Sequence, residues 1–249
     1  LLQSNDVPDF FYSWGGGVLE EQSKTGALKD LTEVFDADGG KLRQAYNASA
    51  IDGLSFDGKV WAVPYRVSLV SFFYNKELFA KAGVKAEDIK TWADFSATVK
   101  KIKDAGIVPI AGGGGEKWPI HFYWSYLVMR NGGQAVFDAA RKGEGEGFMD
   151  PAIIKAGEQL AEFGKLEPFQ PGYLGATWPQ ALGVFGDGKA AIILGFDNTE
   201  ANQRKNAGDG KGLAPENIGR FAFPVVEGGA GKATDTLGGL NGWALTKNA

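Results

Sequence analysis

The chain has 249 residues, 44% of them hydrophobic, so it can bury one large core or two smaller ones. Its 26 basic and 30 acidic residues give a formal net charge of −4, which excludes the basic surface that nucleic acids and anionic membranes attract. The sequence has no cysteine, which excludes disulfides, thiolate metal sites and thiol nucleophiles and leaves the compartment open.

The two ends of the sequence do not resemble complete elements. Residues 1–6 resemble the last turn of a helix, and residues 245–249 follow an apparent strand without a capping element. The sequence has no apolar run of about eighteen residues and no charged leader before an apolar stretch. We therefore expect a piece of a longer protein, without a bilayer-spanning segment, from which a leader could have been removed.

Strands and helices alternate along the chain. Strands are expected where β-branched and aromatic residues cluster between turn residues. These segments are 9–13, 56–63 with a hairpin turn at Asp57-Gly58, 67–74, 107–111, 189–194, 220–226 and 242–246. Helices are expected where apolar residues recur at helical spacing or follow a cap. These segments are 18–24, 76–82, 92–105, 118–129, 151–164 and 177–185. The alternation predicts an α/β fold with a largely parallel sheet, whose ligands bind beyond the carboxyl ends of the strands.

Three helix starts carry specific signals. Asn75 can cap the helix that follows it, and Gly83 can close that helix in the left-handed conformation. Thr91 and Asp94 form a capping-box pattern with Asp in place of Glu. Asp150 precedes a proline, which is the usual order of an N-cap and the first helical residue.

Most tryptophans lie in loop-like stretches flanked by Gly or Pro, whereas core tryptophans usually lie in periodic apolar segments. These residues are Trp14, Trp118, Trp124, Trp178 and Trp243. The pattern favours a surface that presents flat apolar rings. A sugar suits such a surface, because its C–H face packs on a ring while its hydroxyls bond to Asp, Asn, Arg and His. Trp61, Trp92 and Phe95 are assigned to packing.

Several blocks, in the same order along nearly the whole chain, resemble one known family. They are 7–10, 63–66, 73–83, 91–95, 185–192 and 238–245. The most specific is Tyr-Asn-Lys-Glu-Leu-Phe at 74–79, followed by Phe-Gly-Asp-Gly-Lys-Ala-Ala at 185–191. Together they resemble bacterial ABC-transporter solute-binding proteins of the sugar-binding, maltose-binding-protein-like family.

The resemblance implies a two-lobed periplasmic-binding-protein fold of type II-like topology, in which the lobes close on a ligand held in the cleft. Lobe one would comprise 1–67 and 237–249, and lobe two would comprise 68–236. The family's first strand and helix and its last helices have no counterpart in this sequence. The implied protein is a periplasmic or extracellular monomer, with or without a lipid anchor, that needs no cofactor or metal ion and delivers its ligand to a membrane-embedded ABC permease.

The family places ligand contacts in five loops, and the resemblance transfers them to matching positions. The positions are Ser13 and Trp14; Tyr65, Arg66 and Ser68; Glu116, Trp118 and His121; Phe196, Asp197 and Asn198; and Gly239, Leu240 and Asn241. Trp178 begins a predicted helix and is either a further contact or a packing residue. The family often has Trp where this chain has Phe196, so stacking is retained and the identity of the sugar stays open.

Several of these residues have a structural alternative. Trp14 can cover a sheet edge, Arg66 can form an ion pair, and His121 can be a structural histidine. Asp197 and Asn198 can cap the next helix. The glycines at 15–17 can be read as a phosphate cradle, although no Gly-Lys-Ser/Thr follows them.

The predicted function is capture of a neutral mono- or oligosaccharide without catalysis. One alternative keeps the fold and changes the ligand to a phosphate ester, a polyamine or ferric ion. The other alternative is a glycoside hydrolase, which needs two carboxylates about 5–10 Å apart, with Glu116 and Asp197 as candidates.

Overall fold

The computed structural model describes residues 7–247 and 249, so the predicted helical turn at 1–6 lies outside the described residues. The strands are β1 (Phe10–Trp14), β2 (Ser55–Phe56), β3 (Lys59–Val60), β4 (Val63–Asn75), β5 (Val108–Ala111), β6 (Ala190–Phe196), β7 (Ile218–Phe221) and β8 (Gly238–Leu245). The α-helices are α1 (Gly17–Lys24), α2 (Thr32–Gln44), α3 (Ala48–Asp52), α4 (Lys76–Lys81), α5 (Trp92–Asp104), α6 (Trp118–Lys142), α7 (Pro151–Gly164), α8 (Trp178–Gly186) and α9 (Thr199–Asn206).

The chain divides into two compact units. Unit 1 contains the chain up to Leu69 together with the residues from Gly238 onward, and unit 2 runs from Val70 to Leu237. The chain passes from unit 1 to unit 2 within β4 and returns at the start of β8.

Unit 1 is built on an antiparallel sheet in the order β1-β8-β4. Opposite Tyr12 on β1 lies Trp243 on β8, which also lies opposite Val63 on β4. One face of this sheet packs on buried apolar side chains that include Leu19 of α1 and Leu54. The short β2–β3 hairpin turns at Asp57-Gly58 with positive φ at both residues, as its sequence predicts.

Unit 2 is built on the strand order β7-β4-β6-β5, with α5, α6 and α7 contributing to the larger of its cores. Aromatic stacking dominates that core, where Trp92 lies against Phe223 at 5.3 Å and 12°. A smaller core joins α8 to β6 through residues such as Phe185 and Ile193.

The local helix signals are confirmed. The Asn75 side chain accepts bonds from the N–H groups of Glu77 and Leu78 at the start of α4. The capping box of Thr91 and Asp94 forms with both of its bonds, and Asp150 caps α7. Each cap depends only on residues within four positions, so the sequence specifies it directly.

The expected largely parallel sheet is wrong for the described strands. Only β5 and β6 pair in parallel, and the helices between them form the crossover that such a pair needs. The other pairs, β1–β8, β2–β3, β4–β6, β4–β7 and β4–β8, are antiparallel. Alternating elements along a sequence predict which elements form and leave open which strands become neighbours.

Several boundaries also differ from the sequence prediction. Helix α6 continues to Lys142 rather than ending near 129, with a break at Gly133, whose φ of 74° a glycine adopts without strain. Strand β7 ends at Phe221, although the prediction extended it to 226. The periodicity analysis missed α2, whose helical geometry is interrupted at residues 37–40. The apolar run at 9–13 favours a buried strand, whereas β1 is exposed by 59% at Phe10 and by 55% at Trp14.

Candidate functional site

Unit 1 presents a group of aromatic rings on its sheet, called here the strand face. Its members are Phe10, Tyr12, Trp14, Tyr65 and Trp243. Tyr12 lies at the centre, with ring centroids 5.8 Å from Trp14, 5.6 Å from Trp243 and 6.1 Å from Tyr65. All three contacts are edge-to-face, which is a favoured geometry for aromatic pairs. Alternation along β1 places Phe10, Tyr12 and Trp14 on one side of the sheet and Phe11 on the other, against the core.

The polar residues predicted in unit 1 divide between the two sides of the sheet. Asn241 lies opposite both Trp14 and Arg66 in the strand register. It is only 3% exposed, and its Nδ2 has no hydrogen-bond partner among the described residues. Ser13 points to the other side, where its buried hydroxyl donates to Gln22 on α1. Ser68 is also buried, so the structure places neither serine hydroxyl at the surface.

The ionisable groups of the strand face influence one another. Burial raises the pKa of Tyr12 above its ordinary value of 10.0, and this is the largest effect on that group. The positive charge of Arg66 opposes the rise, and Tyr65 adds to it. Arg66 therefore lies close enough to act electrostatically on the central phenol, which links this predicted site residue to the aromatic cluster.

An open recess of about 440 Å³ adjoins Trp14 and is lined by glycines and Leu240. The Gly15 N–H donates to the Leu240 carbonyl at 2.7 Å, and the Gly16 N–H donates to the Gly53 carbonyl at 3.2 Å. These bonds occupy two of the amides that a phosphate cradle would use. Gly15 therefore serves a close backbone approach, since a methyl group there would lie 3.1 Å from the carbonyl oxygens of Gly53 and Leu240, and Gly16 serves a φ of 65°.

Unit 2 presents a second group of rings, called here the helix-end face: Trp118, Phe122, Trp178 and Phe196. Trp118 lies 5.2 Å from Trp178 at 59° and 5.7 Å from Phe196 at 28°, measured between ring centroids and planes. Phe122 closes the group through an edge contact with Phe196 at 5.4 Å. Trp118, Trp178 and Phe196 are half-buried, so each keeps part of its ring surface in solvent.

The four glycines at 112–115 let a second chain segment approach the helix-end face. A methyl group on Gly114 would lie 2.9 Å from the Tyr173 carbonyl oxygen, and one on Gly115 would lie 2.9 Å from that of Gly175. The Gln170 side chain clamps Gly112 with two bonds, to its N–H at 2.8 Å and its carbonyl at 2.7 Å. These contacts join the strand that precedes Trp118 to the segment that precedes Trp178.

Polar side chains surround the helix-end face in different ways. Glu116 is exposed, and its Oε2 accepts the N–H of Trp178 at 2.7 Å. His121 is exposed, and its Nδ1 lies 2.5 Å from the Trp118 carbonyl oxygen one turn earlier. Asp197 is exposed, and its carbonyl accepts a long bond from Arg220 at 3.4 Å.

The cap expected at the start of α9 is only partly realised. Asn198 occupies the N-cap position, but its side chain makes no capping bond. The next residue, Thr199, is completely buried, and its hydroxyl has no partner among the described residues. The alternative that Asn198 serves to cap α9 is therefore not supported, because the capping hydrogen bond is missing.

Sequence reasoning missed some residues that shape these surfaces. Tyr12 and Phe122 belong to the two ring clusters and were not singled out, although their alternation and helical spacing with the tryptophans is visible in the sequence. Gln170 and Gly195 have no sequence signal, because their partners lie far away in the chain. Trp124, by contrast, lies inside α6 and packs on Phe137 and Phe148.

Two absences concern the part of the chain that the structure describes. No helix there is both long and apolar enough to cross a membrane. No group of three or more His, Asp or Glu side chains there could hold a metal ion.

Two compact α/β units that present aromatic rings beside hydrogen-bonding side chains define a solute-binding class of protein. The chain belongs to the bacterial extracellular solute-binding protein family, whose model matches residues 1–249. The resemblance predicted from the sequence blocks is confirmed, and so is the fold class of the two-lobed solute-binding proteins.

Three similar proteins illustrate this relationship. A diacetylchitobiose binding protein of Streptomyces coelicolor is 30% identical over 202 residues, covering 78% of this chain and 43% of that protein. An uncharacterised ABC transporter extracellular-binding protein of Pyrococcus horikoshii is 27% identical over 238 residues, covering 95% and 51%. A solved structure from work on xylan utilization by Caldanaerobius polysaccharolyticus has a TM-score of 0.89 at 27% identity, covering 100% and 61%. The chain spans about half the length of the curated relatives it matches.

Proposed function

We propose that this protein captures a neutral mono- or oligosaccharide and delivers it to a membrane-embedded ABC permease. The helix-end face is the observation that carries the proposal. Trp118, Trp178 and Phe196 expose parts of their rings, and Glu116, His121 and Asp197 lie exposed beside them. Rings of this kind pack on the C–H faces of a pyranose, and the polar groups around them bond to its hydroxyls.

The strand face adds the same combination of chemistry. Trp14 and Tyr65 are exposed by 55% and 63%, and Arg66 and Asn241 lie close to them in the sheet. The buried Nδ2 of Asn241 lacks a partner among the described residues, and such a donor is satisfied when an acceptor such as a sugar hydroxyl approaches. Because both units carry exposed rings beside polar side chains, we propose that the units act as the lobes of the binding protein.

A neutral ligand fits better than the charged alternatives. A phosphate ester needs several free N–H groups or cations, whereas the Gly15 and Gly16 amides are bonded within unit 1. In unit 2 the start of α8 is also capped by the protein's own side chains. A polyamine needs an excess of carboxylates, whereas the predicted contacts combine Glu116 and Asp197 with Arg66.

We also propose that the protein does not catalyse hydrolysis of its ligand. The matched family is one of solute-binding proteins. A general acid must present its carboxyl group to the leaving oxygen, whereas one carboxylate oxygen of Glu116 is held by a backbone amide. The proposed site of action is the periplasm or the cell exterior, and the proposed state is a monomer.

A thermal-shift screen tests the proposal. The full-length protein is melted with diacetylchitobiose, xylotriose and maltose, and with glycerol 3-phosphate, spermidine and ferric citrate. A ligand at a hundredfold excess over its Kd adds about 2.7 kcal/mol, which raises the midpoint by several degrees. A shift with a sugar series supports the proposal and names the ligand.

Two outcomes contradict the proposal. A shift with only a charged solute would replace the neutral sugar by that solute. Release of a free sugar from an incubated glycoside would show catalysis. Trp118→Ala serves as the matched control, because a shift that survives this change at full size would arise away from the helix-end face.

A further inference from the structure

Glu116 contacts the backbone of both tryptophans at the centre of the helix-end face. Its carboxylate accepts the N–H of Trp178 at 2.7 Å, across 62 positions of sequence. Its backbone carbonyl accepts the N–H of Trp118 at 2.7 Å, two positions along the chain. A single residue therefore fixes where α6 and α8 begin relative to each other.

The side-chain bond completes the cap of α8. The first backbone N–H groups of a helix have no partner within the helix. In α8 the second helical residue is a proline, which has no N–H, and the third, Gln180, donates to Thr177 in a capping box. Glu116 supplies the remaining acceptor at Trp178, and its negative charge lies at the positive end of the helix dipole.

The backbone bond imposes strain on the turn before Trp118. Lys117 adopts φ 64° and ψ −45°, and the bond from Trp118 to Glu116 closes a three-residue turn around it. This form of γ-turn is rare and is strained for a residue other than glycine. Such a conformation persists only where neighbouring contacts hold it, and here Gly114 and Gly115 are bonded to Tyr173 and Ala176.

The two tryptophan rings meet at 5.2 Å as a result of this arrangement. Behind Trp178, a methyl group on Gly195 would lie 2.7 Å from Cη2 of the indole, so the ring lies directly on the strand. The ring of Trp118 is held on its other side by Phe196. Moving the start of α8 would therefore change the distance and angle between the two indoles.

We propose that Glu116 is a positioning residue, whose carboxylate holds Trp118 and Trp178 at the spacing that the ligand meets. This inference rests on the proposed sugar-binding function and assigns Glu116 a role other than the direct ligand contact expected from the sequence. This role requires only one side-chain oxygen, Oε2 of Glu116, which accepts the N–H of Trp178. A neutral amide oxygen at the same position can accept that bond.

The test compares Glu116→Gln with Glu116→Ala in the full-length protein. Near-ultraviolet circular dichroism without sugar reports the packing of the indoles, and Trp118→Phe and Trp178→Phe identify the band that belongs to this pair. Calorimetric titration then uses the sugar of the screening panel that shifts the wild-type midpoint most. Glu162→Ala, which removes an exposed carboxylate paired with Lys165, is the matched control.

We expect Glu116→Ala to change the indole band and weaken sugar binding about tenfold or more, which corresponds to roughly 1.4 kcal/mol. We expect Glu116→Gln to restore the band and bring the affinity to within about threefold of wild type, because its amide oxygen replaces the lost acceptor. Glu162→Ala should leave the band, the affinity and the melting midpoint unchanged.

Two results would overturn the proposal. The first is an unchanged indole band in Glu116→Ala, at any affinity. The second is a Glu116→Gln protein with a wild-type band and a large loss of affinity, since the carboxylate would then bond to the sugar directly. If Glu116→Ala does not fold, Glu116→Asp replaces it, because its shorter side chain should also displace the band. The dichroism measurements need no sugar, so they decide the positioning role even if no panel sugar binds.

Discussion

The strand face and the helix-end face present similar rings through different means. In the strand face, Tyr12 and Trp14 alternate along one strand and meet edge-to-face. In the helix-end face, Trp118 and Trp178 come from the first residues of two helices and meet because Glu116 and a glycine run join those helices. The two-residue repeat of a strand places alternate side chains on the same side, so neighbouring rings on β1 meet without help from distant segments. The rings at the two helix ends meet only because contacts join segments that are far apart in the chain.

This difference has a consequence for how each surface responds to change. The strand-face rings are supported mainly by neighbouring strands, and Trp14 and Tyr65 expose more than half of their surface. In the helix-end face, Trp118, Trp178 and Phe196 are half-buried and Trp178 lies directly on Gly195, so a small change behind Trp178 should move its ring. We therefore expect substitutions to separate affinity from stability in unit 1 and to couple the two in unit 2.

The largest expected loss of stability comes from a core tryptophan, and the variants of both faces are compared with it. Trp92 is 7% exposed and packs on Phe95, Phe163 and Phe223. Trp92→Ala should lower the free energy of unfolding by about 3–5 kcal/mol, because it leaves a large cavity. Urea denaturation followed by circular dichroism measures this loss. If Trp92→Ala and Trp14→Ala lower the free energy of unfolding by the same amount, the distinction between core tryptophans and tryptophans of the two faces is wrong.

The next largest effect concerns the support of the helix-end face. A methyl group on Gly195 would lie 2.6 Å from Oγ1 of Thr199 and 2.7 Å from Trp178. Gly195→Ala should therefore cost about 1–3 kcal/mol of stability and also weaken sugar binding, because Trp178 has to move. Gly17→Ala is the control, since nothing lies within 4 Å of its added methyl group. Thermal melts and titrations that give the two variants the same values would contradict the coupling.

The direct comparison of the faces uses one tryptophan from each. Trp14→Ala should change the free energy of unfolding by no more than about 0.5 kcal/mol, as is usual for exposed positions. Trp118→Ala should cost about 1–2 kcal/mol, because its half-buried ring loses three aromatic neighbours. Both should weaken sugar binding. If stability falls equally in both variants while affinity is unchanged, neither tryptophan contacts the ligand.

The smallest effect is a titration that only the strand face can show. The pKa of Tyr12 lies above 10.0, chiefly through burial, and Arg66 opposes the rise. Arg66→Gln should therefore raise this pKa further. Difference absorbance between each protein and its Tyr12→Phe counterpart measures the ionisation of this phenol. A lower pKa in Arg66→Gln would show that Arg66 does not act on Tyr12.

The raised pKa of Tyr12 also determines whether folding stability rises or falls with pH. A raised pKa in the folded state means that the neutral phenol is favoured by folding. Its contribution to stability is therefore fully present below about pH 10, the pKa in the unfolded chain, and is lost as the pH rises through the folded-state value. Between about pH 9 and pH 11, the wild-type protein should therefore lose more stability than Tyr12→Phe, which melts of both proteins at rising pH check.

Prediction from the sequence succeeded where the deciding contacts are local. Asn75 and Asp150 cap the helices that follow them, and Asp57-Gly58 forms the hairpin turn. The family was also recognisable, because its blocks are read directly from adjacent residues. The aromatic residues that form the faces were mostly identified, since unusual positions of tryptophan are visible without any structure.

Prediction was weaker for the roles of individual site residues. Ser13 matches a family contact, yet its hydroxyl is buried against Gln22 on the far side of the sheet. Glu116 also matches a contact position, and its carboxylate bonds to the backbone of Trp178. Neither partner follows from spacing in the sequence, because each bond depends on how separate elements pack. The lobe boundaries and the ligand contacts stay predictions for the experiments above.

The sequence by itself determined the caps of α4, α5 and α7, the hairpin turn at Asp57-Gly58 and the family of this protein. Its information is local because a cap or a turn forms between residues only a few positions apart. The tertiary structure alone decided that most described strand pairs are antiparallel and that Trp118 meets Trp178. The strand pairs join segments far apart in the chain, and the Gln170 clamp on Gly112 and the Glu116 bond to Trp178 join residues 58 and 62 positions apart. Contacts over such separations form only when the whole unit folds, so no short segment can specify them.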